Sequence, residues 1–126
     1  MYRNNLSPQD KTSIRSIVER QLQAFQDHDA VTAFSLASPE LQRQLRQSHA
    51  FMEMVRTHYQ PVYNPRAVIF EGIVYIQQRP TLQMMLMAQS GALVRALYMM
   101  QKQSDSTCRI AGCQLLPVYI ENRRHS

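Results

Sequence analysis

Apolar residues recur every three or four positions through the first half of the chain and at alternate or contiguous positions through the second, which predicts helices and then strands. The clearest helix covers 7–26. Ser7 caps it, Pro8 takes the first helical position, and Asp10 stands three residues after the cap, where a capping box places an acid. Ile14, Ile17, Val18, Leu22 and Phe25 then share one face, while Arg15, Glu19, Arg20 and Gln23 fall elsewhere. Asp29 caps a short second helix containing Val31, Phe34 and Leu36. SPEL at 38–41 repeats the logic of SPQD at 7–10, with Ser38 as cap and Pro39 opening a third helix through Leu41 and Leu45. Ser48 is expected to cap a fourth, in which Ala50, Phe51, Met54, Val55 and Tyr59 are spaced for one face.

The periodicity changes after Tyr59. Pro61 and Pro65 restrict the residues before them to extended conformations, so the segment MVRTHYQPVYNPR at 54–66 is expected to leave the helical half and enter the sheet. RAVIFE (66–71) and IVYIQQR (73–79) are β-branched and aromatic, and Gly72 between them reads as a bend, a bulge or a short turn. LQMMLMAQ (82–89) and ALVRALYMMQ (92–101) are joined by Ser90-Gly91, a connection suited to a hairpin. SDST (104–107) turns the chain into a last strand over 108–120. The order predicts an α+β fold in which N-terminal helices pack on one face of a curved antiparallel sheet. Glycines at 72 and 112 suit bulges that would give the sheet a concave inner face.

A length of 126 residues suits a single domain, with helices over about 7–59, the sheet over about 66–120 and a short polar tail at 121–126. The net charge of +5 raises the question of an anionic partner. The arginines are scattered, however, with Arg123-Arg124 the one adjacent pair, which argues against a nucleic-acid surface. No stretch reaches the roughly 20 apolar residues of a membrane span, and the N-terminus has no apolar leader, so a cytoplasmic location is expected. Cys108 and Cys113 lie five residues apart on one strand. That spacing puts them roughly 17 Å apart on opposite faces, as reduced thiols in or near the core.

Candidate chemistry is sparse. The acids of the sheet are Glu71, beside the first bend, and Asp105, in a turn, so no interior strand position carries a carboxylate. Asp27-His28-Asp29 is explained by a helix-to-helix connection in which Asp29 caps the second helix. His49 and His58, nine residues apart, point to opposite sides of one helix and cannot share a metal. Three glycines form no phosphate loop or dinucleotide fingerprint, and there is no nucleophile elbow. Neither a metal nor a cofactor is expected.

SPEL at 38–41, the run F-x-x-M-V-x-x-x-Y-x-P-V-Y-x-P at 51–65 and ALYMMQKQSDSTCRIAGCQLLP at 96–117 together resemble the domain-of-unknown-function family 4864. That family is similar to the nuclear transport factor 2-like (cystatin-like) superfamily, in which a cone of helices closes on a curved sheet. Nearly the whole chain is covered. Cys108 departs from the pattern, standing where a tryptophan is expected before R-I-A-G-C. The resemblance implies the cone fold, and it implies assembly through the outer face of the sheet, as many superfamily members do. The superfamily includes isomerases, dehydratases and cyclases that work through a carboxylate or histidine inside the cone.

Tyr98 is read as facing inward with Val94, Ala96 and Met100, which turns Arg95 outward by strand alternation. Tyr59 and Tyr63 could reach the mouth of the cone, and Gln83 or Met84 its neighbouring wall, giving a lining suited to a small apolar ligand. Leu82, Met84 and Leu86 on one face, with Met85 and Met87 on the other, leave neither face made for water. A homodimer through the outer face is therefore expected. The leading expectation is a non-catalytic dimeric module binding a small apolar ligand in the cone or a protein partner. The rival is an isomerase or lyase using His58 or Tyr98 to move a proton, activated by Arg66 or Arg95.

Overall fold

A computed structural model describes residues 6–119; Ile120, expected to end the sheet, and the tail at 121–126 lie outside that range. Among the described residues five helices precede four strands. In α1 (Pro8–Gln26) the capping box forms reciprocally: Ser7 Oγ accepts from the Asp10 N–H at 3.0 Å and Asp10 Oδ2 accepts from the Ser7 N–H at 3.2 Å. Its inward stripe buries Ile14, Val18, Leu22 and Phe25, and Gln21 with them. Asp29 Oδ1 caps α2 (Ala30–Ser35) through the Thr32 N–H, and Ser38 Oγ caps α3 (Pro39–Leu45) through the Leu41 N–H.

Two expectations for the helices are corrected. Gln47, with no side-chain cap bond, occupies the cap position of α4 (Ser48–His58), and Ser48 is its first helical residue. Phe51 and Val55 are buried along this helix, whereas Ala50 is exposed. The chain beyond Tyr59 is not extended at once. It forms one further turn, α5 (Gln60–Tyr63), with Pro61 in the first turn, where its missing N–H would have had no helical acceptor in any case.

The sheet runs β1 (Ala67–Ile76), β2 (Arg79–Met87), β3 (Leu93–Lys102), β4 (Cys108–Pro117), antiparallel throughout and in sequence order. Gly72 does not separate two strands; it sits inside β1 at a bulge. Phe70 pairs with Met84 and Gly72 with Gln83, which leaves Glu71 as the extra residue. The Gly72 φ of 137° explains the residue type. The chain reverses instead at Gln77 and Gln78, both at positive φ (51° and 66°), the geometry of a type I′ turn. The next connection is also wider than Ser90-Gly91: it spans 88–92, closed by the Ala88 N–H donating to Ala92 O at 2.8 Å.

A second bulge lies in β4. Met99 pairs with Gly112 and Met100 with Ile110, so Ala111 is the inserted residue. The alternation therefore changes phase, and Cys108 and Cys113 occupy the same face of the sheet rather than opposite ones. Both are free thiols, Cys108 buried and Cys113 partly so. The cross-strand pairs Leu82–Tyr98, Met84–Ala96, Tyr98–Cys113 and Met100–Ile110 define the inner face, which meets α1, α4 and α5 in one core. β4 is also stitched to the segment before α3. Ile110 donates to Leu36 O at 2.9 Å and accepts from the Ser38 N–H at 2.8 Å, which covers part of that sheet edge. Among the described residues no helix is long and apolar enough to cross a membrane.

Candidate functional site

The helices do not fill the inner face. Between α1, α4, α5 and strands β3 and β4 lies a cavity of about 200 Å³, walled by Phe25, Phe51, Met54, Val55, Val62 and Ile110 and reached by Tyr59, Tyr98, Gln21 and Cys113. The Phe25 and Phe51 rings stand 6.1 Å apart between centroids, a tilted pair that packs the helical wall. Among the described residues no Asp, Glu, His, Lys or Arg lines the cavity.

Tyr98 is its most distinctive member. The residue is 1% exposed, and burial holds its phenol well above the usual range, so it stays protonated at any ordinary pH. Among the described residues no group hydrogen-bonds this hydroxyl, and no buried side-chain oxygen or nitrogen is both sealed off and unpartnered. The Tyr98 hydroxyl thus opens onto the cavity. Gln21, also a lining residue, is nearly as buried, and its Nε2 donates to Ala33 O at 3.1 Å, which fixes the amide and leaves Oε1 able to accept. Cys113 adds a thiol that burial pushes up to about 12, an apolar wall rather than a nucleophile.

The structure brings together some of the residues picked out in the sequence and separates others. Tyr59 and Tyr98 meet at the cavity. Met84 is fully buried on the inner face but packs in the core without lining the cavity. Gln83 pairs with Leu97 and faces the opposite side of the sheet. Tyr63 lies at the corner, its hydroxyl 3.1 Å from His28 Nδ1 and its ring 6.1 Å from that of Phe25. His58 is exposed at the end of α4 and outside the cavity, so it cannot act on a molecule held there. Arg95 is committed on the outer face, where it holds Glu71 through bonds of 2.8 and 2.9 Å, and Arg66 is exposed. Cys108 borders a separate open cleft with Arg20 and Arg109.

Gln21, Phe25 and Phe51 join the lining although the sequence pattern does not single them out for it. Gln21 leaves a trace nonetheless: it lies seven residues after Ile14 and three after Val18, so it is a polar side chain on the apolar stripe of α1. Among the described residues no group of three or more His, Cys, Asp or Glu could hold a metal ion.

The family described as Domain of unknown function (DUF4864) matches residues 7–122 of the chain. No curated protein and no solved structure matches it.

Proposed function

Because the chain belongs to the family described as Domain of unknown function (DUF4864), a description that assigns no activity, we propose a function from the cavity itself: a non-catalytic module that holds a small, largely apolar molecule against the inner face of the sheet. The observation that carries this reading is the cavity of about 200 Å³ between the helices and the inner face of the sheet, whose lining among the described residues includes no Asp, Glu, His, Lys or Arg, while burial raises the Tyr98 phenol and the Cys113 thiol. A space of about 150 Å³ with comparable walls is enough for benzene. An isomerase or lyase would need a proton acceptor at the ligand, and His58 lies elsewhere.

Helices closing on a bulged antiparallel sheet also support a place in the nuclear transport factor 2-like superfamily. The module acts as a homodimer through the outer face of the sheet. Ile69, Val74, Ile76 and Leu116 all project from that face with a third or more of their surface exposed, beside Met85, Leu97 and Met99.

Native mass spectrometry of the purified protein tests the ligand reading: an added mass of a small organic molecule, released on denaturation, is expected. Val55→Phe, which projects a ring into the space, should abolish that mass while leaving cooperative unfolding. Retention of the bound mass in Val55→Phe would place the molecule outside the cavity and overturn the reading.

A further inference from the structure

Two polar side chains, Gln21 and Tyr98, stand among the mostly apolar residues that line the cavity. One N–H of the Gln21 amide is spent on the Ala33 carbonyl, which fixes the side chain and leaves Oε1 as an acceptor for a molecule that enters. The Tyr98 hydroxyl is engaged by no group among the described residues and can donate. A donor that opens onto a largely apolar space is poorly hydrated, and a ligand that supplies an acceptor satisfies it. The remaining lining gives no counter-charge: Phe25, Phe51, Val55, Val62 and Ile110 are hydrocarbon. An ionised group drawn into such a site loses its hydration with no counter-charge in exchange.

Resting on the ligand reading above, we propose that the cavity selects an uncharged molecule of about one ring that carries both an acceptor for the Tyr98 hydroxyl and an N–H or O–H donor for Gln21 Oε1, as in a primary aryl amide or an arylmethyl alcohol. The volume sets the size, and the polar pair sets the functional group. An apolar chamber without that pair would rank these molecules the other way, because a polar substituent loses its own hydration on entry. Preference for the polar member of a matched series is therefore diagnostic.

Calorimetric titration of the full chain with toluene, benzyl alcohol, benzamide and benzoate measures the series directly. Benzamide and benzyl alcohol are expected to bind about tenfold more tightly than toluene. Benzoate, with the shape of benzamide and a full charge, should bind at least about a hundredfold more weakly than benzamide. In Tyr98→Phe the advantage of benzamide over toluene should shrink by roughly threefold or more. Toluene binding as tightly as benzamide, benzoate matching benzamide, or an unchanged benzamide-to-toluene ratio in Tyr98→Phe would each overturn the selectivity and leave the apolar-ligand reading standing. Failure of all four compounds to bind a cooperatively folded protein would overturn that reading, and the selectivity with it. Toluene occupancy blocked by Val55→Phe, with no polar preference, would overturn the selectivity and mark the two polar groups as a site for ordered water.

Discussion

Removing the Tyr98 hydroxyl takes no hydrogen bond from the described residues, so Tyr98→Phe is expected to unfold within about 1 kcal/mol of the wild type or slightly above it in a urea titration. A loss of several kcal/mol would mean that the hydroxyl has a structural partner. Met84, fully buried one cross-strand pair from the cavity, should behave oppositely, with Met84→Ala costing about 2–5 kcal/mol in the same titration. Tyr63 is different again. Its hydroxyl meets an exposed histidine, so Tyr63→Phe should cost at most about 1 kcal/mol and leave ligand retention alone, which makes the segment around Pro61 a corner. Alternation along β3 is enough to send Tyr98, Ala96 and Met100 inward, and the structure agrees. Gln83 escapes the same logic because it is half-buried and polar in an apolar strand, and only its pairing with Leu97 reveals which side it takes.

At the scale of elements, local chemistry carries the helix starts. Ser7, Asp29 and Ser38 cap because a short oxygen-bearing side chain reaches an otherwise unpaired N–H, an interaction that needs no tertiary context. The β1–β2 reversal has no such mark, since Gln77 and Gln78 adopt positive φ without the asparagine or glycine that usually announces it. That mismatch predicts a gain: Gln77→Asn with Gln78→Gly should raise stability by about 1 kcal/mol, measured as a higher urea midpoint. The ion pair that bridges β1 and β3 across β2 predicts a pH effect. The Arg95 guanidinium, bonded to Glu71, holds that carboxyl below its ordinary value near 4.5. A depressed folded pKa means that the stabilisation is complete above pH about 4.5 and is lost as pH falls through the folded value. Glu71→Gln is thus expected to lose less stability than the wild type on going from neutral pH into that acidic range. Identical acid profiles would show that the pair contributes nothing.

For the molecule as a whole, the order of helices and then a meander is enough to place helices against an antiparallel sheet, because short connections leave few other arrangements. The cavity is legible in the sequence only as an expected shortfall of filling. Its actual walls depend on where α4 and α5 cross the sheet, which no periodicity encodes. Assembly is tested at this scale: sedimentation should give twice the 14.7 kDa chain mass at micromolar concentration, and Ile69→Glu with Leu116→Lys should give the single chain mass. A wild-type protein that sediments as one chain would remove the dimer.

Both bulges lie in the outer strands, at Glu71 in β1 and Ala111 in β4, while β2 and β3 pair without interruption. Each edge therefore runs one residue longer than its neighbour over the same span, and a sheet whose margins are longer than its middle bends. Counted in strict alternation from Ile110, the same letters would send Cys113 and Leu115 outside; the supernumerary Ala111 is what returns them to the inner face. Deleting Ala111 would leave both side chains facing inward and shorten only the margin, so curvature and lining are separable by a single codon.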